Sequence, residues 1–486
     1  MNQIPTILPA SPVIFLALSS LGLLLFGVLR GDGATRVISH LSAALLLVTA
    51  TLVIGHGGGR ALAFGRLFVM DGFAVFMDTL VLVGEAAVIL VGQGYNRREE
   101  LNRFEYPVLM VLSTVGMLMM ISANDLIALY MGMETQSLAL YVLAASRRGA
   151  GTSSEAGLKY FVLGALASGL LLFGASLVYG FAGSTNFDKI AHTVSQEMQG
   201  GVGAGLGIVI GMVFVISGLA FKVAAVPFHM WAPDVYEGSP TPVTAFFAVA
   251  PKVAAVALLL RVLVDPFGSL GGQWHQIVVF MSVVSMLIGS LGAIQQTNIK
   301  RLMAYGSIGH VGYLMLGLSA GSEQGVRGIL VYLAVYVVMS VGAFAVILAM
   351  RHQGRMVEDL AHFAGLSRTH PLLALVMAVF MFSMAGIPPL AGFFGKLYVF
   401  LAAIEAHLYG LAVIGVLTSV VSAYYYLRVI KLMYFDETPV DVIDRQDDPL
   451  IAYVTAAAAA FTLLFFIFPV PIISGATAAA AALFAG

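Results

Sequence analysis

Lys222, Lys252 and Lys396 stand inside long apolar stretches of this 486-residue chain, and Glu134 stands inside another. An ionised side chain near the middle of a bilayer costs roughly 2.5–3.5 kcal/mol on insertion scales, so residues of this kind mark ion pathways, proton relays or buried pairs. At about 1.5 Å per residue, Glu134 lies ~15 Å into a span entered near Asn124, close to the centre of a ~30 Å core. Lys252 is equally deep in a span entered near Thr241. Such depth argues against snorkelling. Lysine suits proton handling, because desolvation and a nearby carboxylate act on its proton affinity in opposite directions. At ~4 Å and an effective dielectric near 20, one unit charge is worth about 4 kcal/mol to its neighbour. Moving a charge against ~150 mV costs about 3.5 kcal/mol. Opening or closing one buried pair is therefore large enough to drive a proton, and the pair expected here is Glu134 with Lys222.

Three further residues belong with this set. Lys159 is shallower and has Glu155 one turn before it, so it fits either a proton site or a local i,i+4 pair. His229 and His310 could bridge the lysines, since a neutral imidazole donates at one nitrogen and accepts at the other; each is equally a packing hydrogen-bonder. Prolines flank the lysines. Pro227 and Pro233 follow Lys222, Pro251 directly precedes Lys252, and Pro388 and Pro389 precede Lys396. A proline leaves a carbonyl one turn back without its donor, which a membrane tolerates only where protein or cavity water supplies a partner.

The elements that must hold these residues are membrane spans. Sixty per cent of the residues are hydrophobic and only 10% are charged, far below the roughly 25% charged content of a soluble domain. The net charge of −1 implies no general attraction to nucleic acid. Without cysteine the chain has no thiolate ligand for an iron–sulfur cluster. Length and hydropathy place fourteen helices near 10–29, 37–55, 70–92, 107–122, 124–146, 154–180, 205–225, 241–264, 276–293, 300–319, 326–350, 371–402, 408–433 and 450–468. Of the 24 Lys and Arg, fifteen, from Arg30 to Arg445, gather on one side, and five (Arg60, Arg66, Lys189, Arg261 and Arg327) on the other. The remaining four are the lysines within the spans. By the positive-inside rule both termini then lie outside. The first 15 residues lack the basic region of a secretory signal and read as the start of the mature protein. The glycine run from Gly200 is no phosphate loop, because a span and not a strand–helix unit surrounds it.

The seventh and twelfth spans both look interrupted, and their lysines are 174 residues apart. This spacing suggests three N-terminal helices (1–106), two homologous five-helix units (107–264 and 276–433) and a C-terminal helix (450–486) within one membrane domain. Five is odd, so the second unit must be inverted. The expected fold is an all-α polytopic membrane protein with about fourteen helices, two inverted repeats and broken helices 7 and 12.

The stretch HMWAPDVYEGSPTPVTAF from His229, with APKVAAVALLLRV after it, resembles the signature of antiporter-like subunits of respiratory complex I and of Mrp-type cation/proton antiporters. NDLIALYMGMETQSLALYVL around Glu134, Phe221–Lys222 and NIKRLMAYGSIGHVGY from Asn298 also fit, so the likeness covers nearly the whole chain. The wording PDVYEGSPTPVTAF is similar to the N type of complex I subunit, and Lys396 stands where the M type carries Glu. The resemblance implies proton transfer along Glu134, Lys222, Lys252 and Lys396. It implies no cofactor in this chain, with flavin mononucleotide, iron–sulfur clusters and quinone in partner subunits. The implied partners are the antiporter-like M subunit, the small K, J and A subunits and the lipid of the bacterial inner membrane. A freestanding or Mrp-type antiporter is the alternative.

Overall fold

The computed structural model describes residues 7–199, 205–437, 443–444 and 448–485. Arg445 and the glycine run at 200–204 lie outside the described residues. The N-terminal helices are α1 (Ser11–Arg30), α2 (Thr35–Gly55) and α3 (Gly72–Arg98). Next come α4 (Glu105–Ile121), α5 (Leu126–Ala144), α6 (Gly151–Ala182), an amphipathic connector α7 (Phe187–Gln199), α8 (Leu206–Val223), α9 (Trp231–Gly238), α10 (Thr241–Ala248) and α11 (Ala250–Val264). The second unit holds α12 (Gly271–Ile294), α13 (Ile299–Ser319), α14 (Glu323–Ala349), a short turn α15 (Leu366–Thr369), α16 (Pro371–Ala385), α17 (Ala391–Glu405) and α18 (Tyr409–Phe435). The chain closes with α19 (Pro449–Leu464) and α20 (Val470–Phe484). Two small antiparallel hairpins, β1 (Ala61–Ala63) with β2 (Phe68–Met70) and β3 (Arg351–His352) with β4 (Arg355–Met356), sit in loops at opposite ends of the bundle.

Ten helices among the described residues are long and apolar enough to cross a membrane. Leucines 18, 21 and 25 on α1, Leu166 and Phe173 on α6, and Val413, Leu417 and Val420 on α18 are exposed, as a lipid-facing surface requires. At the centre the environment reverses: every residue from Thr241 to Leu263 is buried. Each expected span corresponds to a helix or a helix pair. The seventh and twelfth are broken, as α8/α9 and α16/α17, and the eighth is also interrupted, at Val249 between α10 and α11. The expected last span, 450–468, proves to be only the first part of a two-helix crossing. Asp448, before α19, lies against Gly94 near one end of α3, whereas Ala482 of α20 lies against Gly72 at the other.

The two five-helix units run in opposite senses. α4 ends at Ile121, whose carbonyl accepts from Arg261 in the last turn of α11, and α12 starts just past that same end. In each unit the first two helices cross at a glycine pair, Gly116 with Gly132 and Gly289 with Gly309, and an added Cβ at Gly116, Gly132 or Gly289 would strike the facing backbone. Short loops and missing side chains there let the helices approach closely. The described chain ends share one end of the bundle, opposite the arginine-rich end: Ser11 Oγ is 3.3 Å from His56 Nε2 at the close of α2, and Ala482 meets Gly72.

Candidate functional site

Lys222 occupies the last turn of α8, where the helix stops at Ala224 in left-handed conformation. The groups released by this break are taken up locally. Trp231 Nε1 donates to the Phe221 carbonyl at 2.9 Å, and the Val226 N–H donates to Ser285 Oγ at 2.9 Å. The buried lysine, 8% exposed, donates to Ser137 Oγ on α5 at 2.7 Å. Its ammonium is 5.9 Å from the Tyr141 ring and 5.8 Å from the Phe221 ring. Glu134, one turn before Ser137, makes no ion pair with Lys222, and its buried Oε1 has no hydrogen-bond partner. The pair expected to open and close is therefore open in this structure, with Ser137 Oγ taking the lysine's hydrogen bond.

The second break is built in the same way. α16 ends at Ala385, and the Lys396 ammonium on α17 donates to the Ala385 carbonyl at 2.9 Å and to Ser419 Oγ on α18 at 2.8 Å. A cation at a helix C-terminus is stabilised by the dipole as well as by the orphan carbonyl. The Gly392 N–H, in the first turn of α17, donates to Ser383 Oγ at 2.9 Å. Gly386 has φ +87°, and a Cβ there would fall 2.9 Å from Lys396 Cδ. Glycine is thus favoured twice over, by the left-handed backbone and by the lysine's room.

Between these ends, α13 carries Ser307, His310 and Tyr313 at three-residue steps, which stack on one helix face. Lys252, 4% exposed, hydrogen-bonds Ser307 Oγ. His310 Nδ1 is 2.7 Å from Tyr332 Oη and His310 Nε2 is 3.1 Å from Tyr426 Oη. One tyrosine hydroxyl must donate and the other accept if the imidazole is neutral. The Lys396 ammonium lies 5.0 Å from the Tyr313 ring. Side chains that exchange protons thus line one face between Lys252 and Lys396, although among the described residues no hydrogen bond joins Ser307 to His310 or His310 to Tyr313. On the other side, among the described residues, no hydrogen bond joins Lys222 to Lys252. Rings bridge Phe221 to Phe247 through Trp231 and Tyr160, with centroids 5.6, 4.5 and 5.6 Å apart.

Two expected relay residues fall outside this line. Lys159 is half-buried and pairs at 2.7 Å with both Glu155 and Asp234. The expected local pair therefore exists, and Asp234 extends it to Arg301 at 2.8 Å, fastening α6, α9 and α13 together. His229 is half-buried in the break after α8, and its Nδ1 has no partner. Beside them, Lys300 is buried and pairs with Glu358 at 2.7 Å.

Other charged residues emerge that the cation count passes over. Arg261, counted with the outer loops, is instead 1% exposed and packed inside α11. It binds both oxygens of Asp71 at 2.9 and 3.0 Å, and Asp265 at 3.7 Å. Burial works to raise the Asp71 carboxyl, but the Arg261 guanidinium overrides it and holds the carboxyl below its ordinary value. Asp78 and Glu85 on α3 are wholly buried in the membrane core. Their signal in the sequence is the seven-residue spacing from Asp71.

Comparison with known proteins agrees with this architecture. The family described as "NADH:quinone oxidoreductase/Mrp antiporter, TM" matches residues 123–422. NADH-quinone oxidoreductase subunit N of Paramagnetospirillum magneticum is 56% identical over 98% of this chain and 98% of its own length. The subunit of that name from Rhodospirillum rubrum is 58% identical over 98% of this chain and 97% of its own. Among solved structures, a chain of respiratory complex I from Thermus thermophilus with bound aureothin superposes with a TM-score of 0.81 at 33% identity, covering 95% of this chain and 98% of that one. With its paired broken helices and buried lysines, this chain belongs to the NADH-quinone oxidoreductase subunit N family.

Proposed function

We propose that this chain is the proton-translocating N-type membrane subunit of a bacterial NADH:quinone oxidoreductase, in which electron transfer from NADH to quinone in partner subunits drives protons along Glu134, Lys222, Lys252 and Lys396. The observation that carries this reading is the Ser307–His310–Tyr313 face, which lies between two buried lysines of opposite repeats and bears groups that can each take up and hand on a proton. The absence of cysteine assigns the iron–sulfur clusters elsewhere, and flavin mononucleotide and quinone go with them to partner subunits. The M, K, J and A subunits are the proposed neighbours in the inner membrane. The arginine-rich end is the cytoplasmic one and both chain ends are periplasmic, following the charge count. The repeats are residues 107–264 and 276–433. Lys159 serves at the cytoplasmic mouth, where two carboxylates share it, and His229 serves beside the first break. Relatives more than half identical over nearly the full length carry the subunit N name, which favours this reading over a freestanding antiporter.

Lys252→Ala and Lys252→Arg in the assembled complex test it, with abundance, NADH-driven quinone reduction and proton uptake measured side by side. Both variants should keep abundance and lose pumping, since a methyl group relays nothing and arginine does not release its proton in the working range. Near-normal pumping by the arginine variant would make Lys252 a fixed structural cation and sink the reading.

A further inference from the structure

Seven residues separate Asp71 from Asp78 and Asp78 from Glu85. Seven residues make two helical turns, so the acids recur on one face of α3 at depths about 10.5 Å apart. Asp71 is bound by Arg261 at the outer end. The other two are 0% exposed, yet Asp78 Oδ1, Asp78 Oδ2 and Glu85 Oε1 have no hydrogen-bond partner. Glu85 Oε2 accepts from Thr114 Oγ1 on α4. Among the described residues no cation pairs with either acid, because Arg261 is engaged by Asp71 and Asp265. A buried polar atom left unmet costs about 1–3 kcal/mol, and polar sites of this kind hold bridging water.

The depth of the acids relative to the lysines follows from two fixed points. α3 and α11 run antiparallel, with Arg261 on Asp71 at the outer end and Val249 against Gly84 further in, where an added Cβ would lie 2.7 Å from Val249 Cγ1. Counting along both helices from these contacts sets Lys252 level with Leu80 and Val81, between Asp78 and Glu85 in depth. The other helices packed on α3 bring no competing charge there. α10 and α20 have no titratable side chain, those of α2 and α19 lie toward their ends, and α14 meets Gly84 through Val337, near Tyr336.

We propose that Asp78 and Glu85 form an outward proton branch on α3 that leaves the central line at Lys252 and ends at the Asp71–Arg261–Asp265 cluster. It rests on the proton-carrying reading above. A proton passing from the Lys252 ammonium through bridging water to the Asp78 carboxylate leaves a neutral amine and a neutral acid, so the net charge of the core is unchanged. Release from Asp78 to the Asp265 carboxylate restores the first carboxylate, and Glu85, one step deeper, holds the next proton.

The assembled complex carrying Glu85→Gln or Asp78→Asn is to be compared with wild type for abundance, quinone reduction and protons pumped per electron, with Glu134→Gln alongside. The branch requires normal abundance and a loss of protons per electron in both variants. It also requires the disappearance of a protonated-carboxyl infrared band in Glu85→Gln. Full pumping in both, beside a defect in Glu134→Gln, overturns the branch and leaves the central line standing. Full pumping in Glu134→Gln overturns the central line and the branch with it. Should Glu85→Gln not assemble, Glu85→Met decides: an acid that only fills space is replaced there without loss of pumping, and that result also overturns the branch.

Discussion

His310 is the residue on which two directions of hydrogen bonding meet, with Tyr332 on one nitrogen and Tyr426 on the other. His310→Phe keeps the ring and removes both bonds, so coupled turnover should fall roughly a hundredfold, measured as NADH-driven proton uptake at unchanged abundance. Tyr426→Phe removes one partner and should cost less. The open geometry at Glu134 leads to a second expectation. Because Ser137 already satisfies Lys222, Glu134→Gln and Lys222→Ala should each assemble while pumping falls. Abundance lost in each single variant and restored in the double variant would show a structural pair instead. The lysines and Glu134 were legible in the sequence because a charge among apolar residues stands out. Ser307, Tyr313 and Tyr332 were not, since serine and tyrosine are ordinary in a membrane helix and only tertiary packing, which sets α13 against α14 and α17 and brings Lys252 of α11 to Ser307, gives them neighbours. Asp78 and Glu85 were visible by type and spacing, but a count that follows cations passes them by.

The elements were more legible than their joints. Hydropathy sets where a helix crosses, and prolines beside Lys222 and Lys396 mark the two breaks. Neither signal says whether Arg261 sits in a loop or in the last turn, because one turn of helix decides between water and core. That turn matters, as Arg261 ties α11 to α4 and to the cap of α3. Arg261→Met should destabilise the subunit by about 3–5 kcal/mol by leaving Asp71 buried and unpaired. The double variant with Asp71→Leu should recover most of the loss, read as complex abundance after detergent extraction. Asp265, just past α11, adds a pH signature. Burial pushes its carboxyl from an ordinary 3.8 up to about 6, with Arg261 pulling the other way. A raised carboxyl binds its proton more tightly in the folded state, so its stabilising contribution is full below about pH 4 and is lost as pH rises through about 6. Asp265→Asn should flatten that part of the wild-type profile of thermal stability against pH.

For the molecule as a whole, the inverted pair of five-helix units gives each face of the membrane an equivalent half-helix and lysine. The cysteine-free sequence makes orientation directly measurable. Single cysteines at Arg97 or Arg355 should react with an impermeant reagent only from the cytoplasm, and one at Arg60 only from outside. Reversal of that pattern would turn the whole proposed direction of transport around. The joint at Lys396 carries one more implication. The same ammonium that would hand on a proton also holds the end of α16 to α17 and reaches across to α18. Discharging it removes the charge from a helix terminus, worth roughly 0.3–1 kcal/mol and up to ~2 kcal/mol where partly buried. On the proposed route the lysine would therefore be a latch as well as a carrier: each time it emptied, the hinge between the half-helices would be less firmly fastened, and each time it refilled, three helices would be drawn together again.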